Sequence, residues 1–178
     1  MQYLNIIQLP KLVFILIIAG ILCYFPLLGQ KTHRGSHEAR HGQIAKEMVF
    51  TGNYEVPRLL GELYVDKPPF YHWLAAGSAR LLNRVDELPM RLPSAVFAIL
   101  GALGIFVMGN RLYDRKTGFI AALCLICSAF YCKWAVMARM DMVMTGALTW
   151  VGAFTLLAAQ SRNDIPRWLF AIAAGICL

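Results

Sequence analysis

Apolar residues in this chain come in long blocks separated by short polar stretches. Four blocks run from Leu12 to Leu28, Leu92 to Met108, Gly118 to Met137 and Met142 to Ala159. A helix needs roughly 20 apolar residues to cross a bilayer, with a range of about 17–25. Each block therefore predicts a transmembrane helix. A fifth run, "WLFAIAAGICL", starts at Trp168 and reaches Leu178, too few residues to span. It reads as a helix cut short, so the chain is expected to be the N-terminal part of a larger protein. The first block, with Lys11 as its only preceding cation, lacks a small-x-small site after it and reads as an uncleaved anchor.

The segment from Gly29 to Pro89 has a different pattern. Connections beyond about 12–15 residues usually carry function or are disordered. Here the spacing predicts two short helices joined by an extended stretch. The first starts near Ser36, an N-cap residue, and ends near Gly52, a C′ glycine. At 100° per residue, Ile44, Ala45, Met48 and Val49 share one stripe with His37, Glu38 and His41. Arg40, Gln43, Lys46 and Glu47 lie opposite. The second helix, "FYHWLAAGSARLL" from Phe70, carries aromatics suited to a membrane interface.

Composition supports this reading. Apolar residues make up 58% of the 178 and charged residues 15%, against about 45–50% and 25% in soluble domains. Mean hydropathy is +0.55. The net charge of +7 lies on no basic stripe of a soluble fold, so nucleic acid is not an expected partner. Positive residues instead mark short loops: Arg111, Arg115 and Lys116 in one, Arg162 and Arg167 in another. Short loops rich in Lys and Arg face the cytoplasm. An even number of crossings separates the two, so both assignments agree and residues 29–89 are expected outside. The five cysteines all sit in or beside apolar blocks. Cys124 and Cys127, although spaced C-x-x-C, are expected to pack helices rather than bind metal.

Two chemistries compete in "SHEARHGQ". The spacing H-E-x-x-H would give a zinc protease two ligands, His37 and His41, and a base, Glu38. A catalytic zinc takes three protein ligands. The position for a third histidine holds Glu47, and only the distant Asp66 or Asp141 could replace it. The flanks are polar, unlike the apolar helix an intramembrane protease needs.

A wider pattern fits better. "HEARHGQIAKEM", "TGNYEVPRLLGELYVDKPPFYHWL" and "ELPMRLPSAV" follow in an order and spacing that resemble the GT-C membrane glycosyltransferases. The similarity is to the bacterial aminoarabinose transferases, which modify lipid A, and their relatives, which share an N-terminal module with protein O-mannosyltransferases. The resemblance implies an all-α, polytopic transmembrane bundle of GT-C type, with amphipathic surface helices in the first external loop. It implies a glycosyltransferase that moves a sugar from a polyprenyl-phosphate donor to a lipid, glycan or protein acceptor. The expected location is the bacterial cytoplasmic membrane, with the active site facing outside and membrane lipids around it. Alone, a fragment of such an enzyme is expected to be inactive. A membrane zinc protease and a non-catalytic transporter or assembly subunit are the alternatives.

The resemblance also implies roles. The family's Asp-Glu pair falls on His37 and Glu38. Because His37 stands where the family has Asp, the base is either Glu38 or the His37 imidazole, which titrates near neutral pH. The family's acidic-Lys-Pro-Pro element falls on Asp66, Lys67, Pro68 and Pro69. Lys67 is the candidate cation for the leaving phosphate, and Asp66 a candidate substrate contact and ligand for a divalent metal. The family's third carboxylate falls on Asp141, which as an ionisable group at a span boundary is a candidate catalytic residue. Arg139 beside it is a candidate phosphate contact, and Arg91 either contacts a headgroup or anchors the second span.

Overall fold

The computed structural model describes residues 2–29, 36–161 and 164–176, with side chains over 9–29, 38–161 and 168–175. Within them lie helices α1 Gln2–Leu28, α2 Ser36–Thr51, α3 Phe70–Leu81, α4 Glu87–Leu112, α5 Arg115–Cys127, α6 Ala129–Ala135, α7 Met140–Gln160 and α8 Asp164–Ile176. Between α2 and α3 lies an antiparallel ribbon of β1 Arg58–Leu59 and β2 Glu62–Leu63.

Among the described residues, three helical stretches are long and apolar enough to cross a membrane: Leu9–Leu28, Glu87–Leu112 and Met140–Gln160. The described residues form a helical bundle with membrane-spanning helices, the all-α architecture expected. The third expected span differs from its prediction. It is two helices, α5 and α6, bent by 65°. Ser128 between them is extended (ψ 126°), which interrupts the helical ladder. Bonds freed inside a membrane must be met internally. Here the Ile126 carbonyl accepts from the Tyr24 hydroxyl (3.1 Å) and the Cys132 thiol (2.9 Å). The break is thus supported by α1 and by α6 itself. Cys124 and Cys127 form no disulfide and are exposed on the bundle, and Cys127 lies against Cys23 of α1.

The bundle is closed by small residues and buried polar bonds, as expected where lipid removes the hydrophobic drive between helices. A Cβ on Gly146 of α7 would lie 2.5 Å from the Phe97 carbonyl of α4. The Tyr131 hydroxyl donates to the Ala98 carbonyl (2.9 Å) and the Trp150 indole to the Leu100 carbonyl (2.9 Å). Helix α4 is the hub, touching α1, α3, α5 and α7.

Leu28, Arg91, Ala138 and Arg139 gather at one end of the bundle, joined by hydrogen bonds between α1, α2, α4 and the start of α7. Leu9, Asn110, Arg111 and Leu157 meet at the other. Successive spans therefore alternate in direction. Helices α2 and α3 lie over the first end. Ala45, Tyr71, Ala75 and Ala79 pack on Met90, Ala138 and Val143, and the Tyr71 hydroxyl donates to the Met90 carbonyl (2.6 Å). This is the amphipathic arrangement the sequence pattern predicts.

Candidate active site

The first turn of α2 sets Glu38 against the bundle end. Its side chain is 2% exposed and that of Arg91 1%. Arg91 Nε donates to Glu38 Oε1 at 2.7 Å, and the Ala138 amide donates to the same oxygen at 3.0 Å. Arg91 Nη1 donates to the Leu28 carbonyl at 3.0 Å. One buried ion pair therefore ties α1, α2, α4 and the α6–α7 connection together. Breaking such a pair from one side leaves an uncompensated buried charge, so it enforces the arrangement strongly. A carboxylate already held by a guanidinium and an amide is suited to fixing position and charge, less to moving protons.

Beside the pair opens a cavity of about 300 Å³, whose walls include Glu38, Arg40, Lys46, Leu60, Asp86 and Arg91. Arg40 and Lys46 come from the outer face of α2, Asp86 from just before α4, and Leu60 from the ribbon. Three cations and at least two carboxylates facing one space can hold a phosphate together with a polar sugar. Asp86 is bonded to Arg84, and that guanidinium holds its carboxyl below the ordinary range against the opposing effect of burial.

The ribbon is fixed by Glu47. Glu47 Oε1 accepts from the Leu60 amide (2.7 Å) and the Gln43 side chain (3.1 Å), and Oε2 accepts from the Gly61 amide (3.2 Å). Burial opposes its ionisation, but these bonds and Arg58 outweigh it and keep the carboxyl below its usual range.

The other half of the H-E-x-x-H spacing packs helices. His41 Nδ1 and His72 Nε2 lie 3.1 Å apart, one donating to the other. Burial first, then His41, pushes the His72 imidazole down to about 4, so His72 is neutral in the folded protein at physiological pH. With Glu38 turned to Arg91 and His41 to His72, these two side chains serve the junction of α2, α3 and α4. Among the described residues no three His, Cys, Asp or Glu side chains converge as a metal centre requires. Asp66, the candidate ligand, is exposed on the connection into α3.

The remaining expected residues are dispersed. His37 falls in the first turn of α2, but its side chain lies outside the described residues. Asp66 and Lys67 are exposed on the connection into α3 and are not part of the cavity wall. Asp141, in the first turn of α7, pairs with Arg139 (Nη2–Oδ2 2.7 Å). The Arg139 guanidinium also lies 4.1 Å over the Trp134 ring. Neither Asp141 nor Arg139 lines the cavity. Arg91, Arg40 and Lys46 share the cavity wall with Glu38, whereas Lys67, Asp66 and Asp141 lie outside it. In the sequence Arg91 stands at the edge of the second apolar block, where it reads as a headgroup contact or an anchor of the span; its buried pairing with Glu38 is visible only in the structure.

Residues 66–178 match the family described as dolichyl-phosphate-mannose-protein mannosyltransferase. The chain belongs to this family. Among curated relatives, it is 27% identical over 166 residues to an undecaprenyl phosphate-alpha-4-amino-4-deoxy-L-arabinose arabinosyl transferase of Pseudomonas savastanoi pv. phaseolicola, covering 91% of this chain and 31% of the relative. A protein of the same name from Aeromonas hydrophila is 34% identical over 101 residues, covering 56% of this chain and 18% of the relative. The fold is that of ArnT from Cupriavidus metallidurans, with a TM-score of 0.85 at 22% identity, over 93% of this chain and 31% of that one. A second structure of that protein is bound to undecaprenyl phosphate and superposes with the same score. The chain thus spans a third or less of the length of these relatives.

Proposed function

We propose that this mannosyltransferase-family chain forms the donor side of a glycosyltransferase site at the outer face of the bacterial inner membrane. The donor is a polyprenyl-phosphate-linked sugar, of the aminoarabinose class named for the curated relatives, and the acceptor a lipid of the lipid A type. The observation that carries this reading is the cavity over the bundle end, where Arg40, Lys46 and Arg91 meet the anchored carboxylate of Glu38. The cationic loop at Arg111, Arg115 and Lys116 supports the orientation, because it lies at the opposite end and is of the kind retained in the cytoplasm.

The step is a displacement at the sugar's anomeric carbon. An acceptor hydroxyl oxygen attacks that carbon and loses its proton to a base. The bond from the carbon to the phosphate oxygen breaks, and its electron pair leaves with the polyprenyl phosphate. Configuration inverts. Arg40 and Lys46 stabilise charge developing on the phosphate, as preorganised cations do in a site sheltered from water. Lys67 meets the same headgroup from the membrane-surface side. Glu38 fixes Arg91 and the first turn of α2, and the adjacent His37 takes the proton. Arg139 and Asp141 form a second polar pair at the acceptor side.

Kinetics test these assignments. Replacing Arg40 by Gln is expected to lower kcat/KM for the polyprenyl-phosphate sugar by about 10–100-fold, the range for losing one charge-assisted contact to a phosphate. Unchanged kcat/KM in both Arg40→Gln and Lys46→Gln would remove the cavity from the donor site.

A further inference from the structure

Leu60 is the least expected residue in the ribbon. It sits at φ 55°, followed by Gly61 at φ 85°, the left-handed pair that a tight two-residue hairpin demands. Glycine, asparagine or aspartate would meet that demand at little cost, whereas a branched aliphatic side chain is strained there. The strain gains the fold nothing, because the Leu60 side chain is 80% exposed. Sparsely populated backbone conformations persist where function requires them.

Two observations say what that requirement is. Leu60 is part of the wall of the same cavity as Arg40 and Lys46. The Glu47 carboxylate also grips both turn amides, at 2.7 and 3.2 Å, so Leu60 has a fixed position rather than that of a loose loop tip. Leu63 and Val65 continue the exposed apolar strip along the ribbon. The result is a rigid aliphatic edge beside a cavity lined by Arg40, Lys46 and the Glu38–Arg91 pair, with Asp86 and Glu87.

We propose that Leu60 is a specificity-determining contact for the first isoprenyl units of a polyprenyl phosphate, and that Glu47 is the positioning residue that holds it there. The inference rests on the donor class assigned above. The phosphate sits toward Arg40 and Lys46, and the chain leaves the cavity across Leu60 toward the bilayer. Glu47 touches no substrate and acts through the two amides.

The test uses the full chain in nanodiscs. The readouts are the Kd for undecaprenyl phosphate, the inhibition constant of inorganic phosphate as a competitor, melting temperature, and amide exchange at Leu60 and Gly61. Leu60→Asn suits the left-handed turn, so it should leave the melting temperature unchanged or raised. It should nevertheless weaken undecaprenyl phosphate by about tenfold, the value of one buried aliphatic side chain, without altering competition by inorganic phosphate. Glu47→Gln should speed exchange at both amides by about tenfold and weaken undecaprenyl phosphate to a similar extent. An unchanged Kd in Leu60→Asn overturns the proposal, as does unchanged exchange in Glu47→Gln or failure of the wild type to bind undecaprenyl phosphate. A full-length protein, extending beyond this span, that binds this lipid but transfers no sugar defeats the transferase reading and leaves the proposal standing.

Discussion

Replacing Arg91 by methionine removes one guanidinium and leaves the volume filled. Glu38 keeps its Ala138 amide but loses the donor at 2.7 Å, and the Leu28 carbonyl loses its donor at 3.0 Å. Both partners are almost wholly buried, at 1% and 2% exposure, so water cannot replace the lost charge. Orphaning one side of a buried ion pair costs roughly 3–5 kcal/mol. For a chain of this size each kcal/mol moves the melting temperature by about 2–4 °C, which gives a fall of about 10 °C. A thiol-reactive dye in detergent follows unfolding through Cys23 and Cys132, which are partly buried in the fold. The single Glu38→Leu variant should fall similarly, while Glu38→Leu with Arg91→Met should recover most of the loss, since apolar replacement of a whole buried pair is often neutral. An Arg91→Met protein melting within a degree or two of wild type would refute the claim that this pair holds α1, α2 and α4 together, as would additive losses in the double variant.

Three further outcomes follow from the same geometry. His72 titrates lower in the fold, at about 4, than in the unfolded chain. Its contribution is therefore complete above about pH 6.5 and is lost as pH falls toward 4, by up to about 3 kcal/mol; His72→Gln should flatten the decline of melting temperature between pH 6.5 and 5. Gly146→Ala forces a Cβ to within 2.5 Å of the Phe97 carbonyl and should cost about 1–3 kcal/mol, whereas Gly77→Ala on α3, with open space around it, should be neutral or stabilising by about 0.5–1 kcal/mol. With His37 as the base, His37→Asp should move the acid limb of kcat against pH to lower pH, because a carboxylate replaces an imidazole; superimposable profiles would exclude it.

The sequence made the membrane architecture legible because block length and loop charge are one-dimensional signals. Leu12–Leu28 falls within α1, Leu92–Met108 within α4 and Met142–Ala159 within α7. Helical spacing likewise put Glu38, His41, Ile44, Ala45 and Met48 on the inward face of α2, and all five are buried. The break at Ser128 escaped because "CLICSAFYCKW" stays apolar on both sides of it, and hydropathy does not see ψ. The site was only half legible. Glu38 could be singled out, but its partners lie 53 and 100 residues away, beyond any local pattern. Lys67 drew attention through the acidic-Lys-Pro-Pro element of the resembling family and lies outside the cavity wall, while Arg40 and Lys46 looked like an ordinary solvated helix face. The role of Glu47 depends on a turn register that no spacing rule supplies.

The most direct test of the central claim is transfer of a radiolabelled sugar from its polyprenyl-phosphate donor to lipid A-type acceptor, in membranes containing the full protein. Wild type should transfer label, His37→Ala should lose at least about 100-fold in kcat as expected for a missing general base, and Lys46→Gln should lose mainly in KM for the donor. Transfer that is unaffected by His37→Ala, Arg40→Gln and Lys46→Gln alike, or wild-type membranes that transfer no label, would contradict the account.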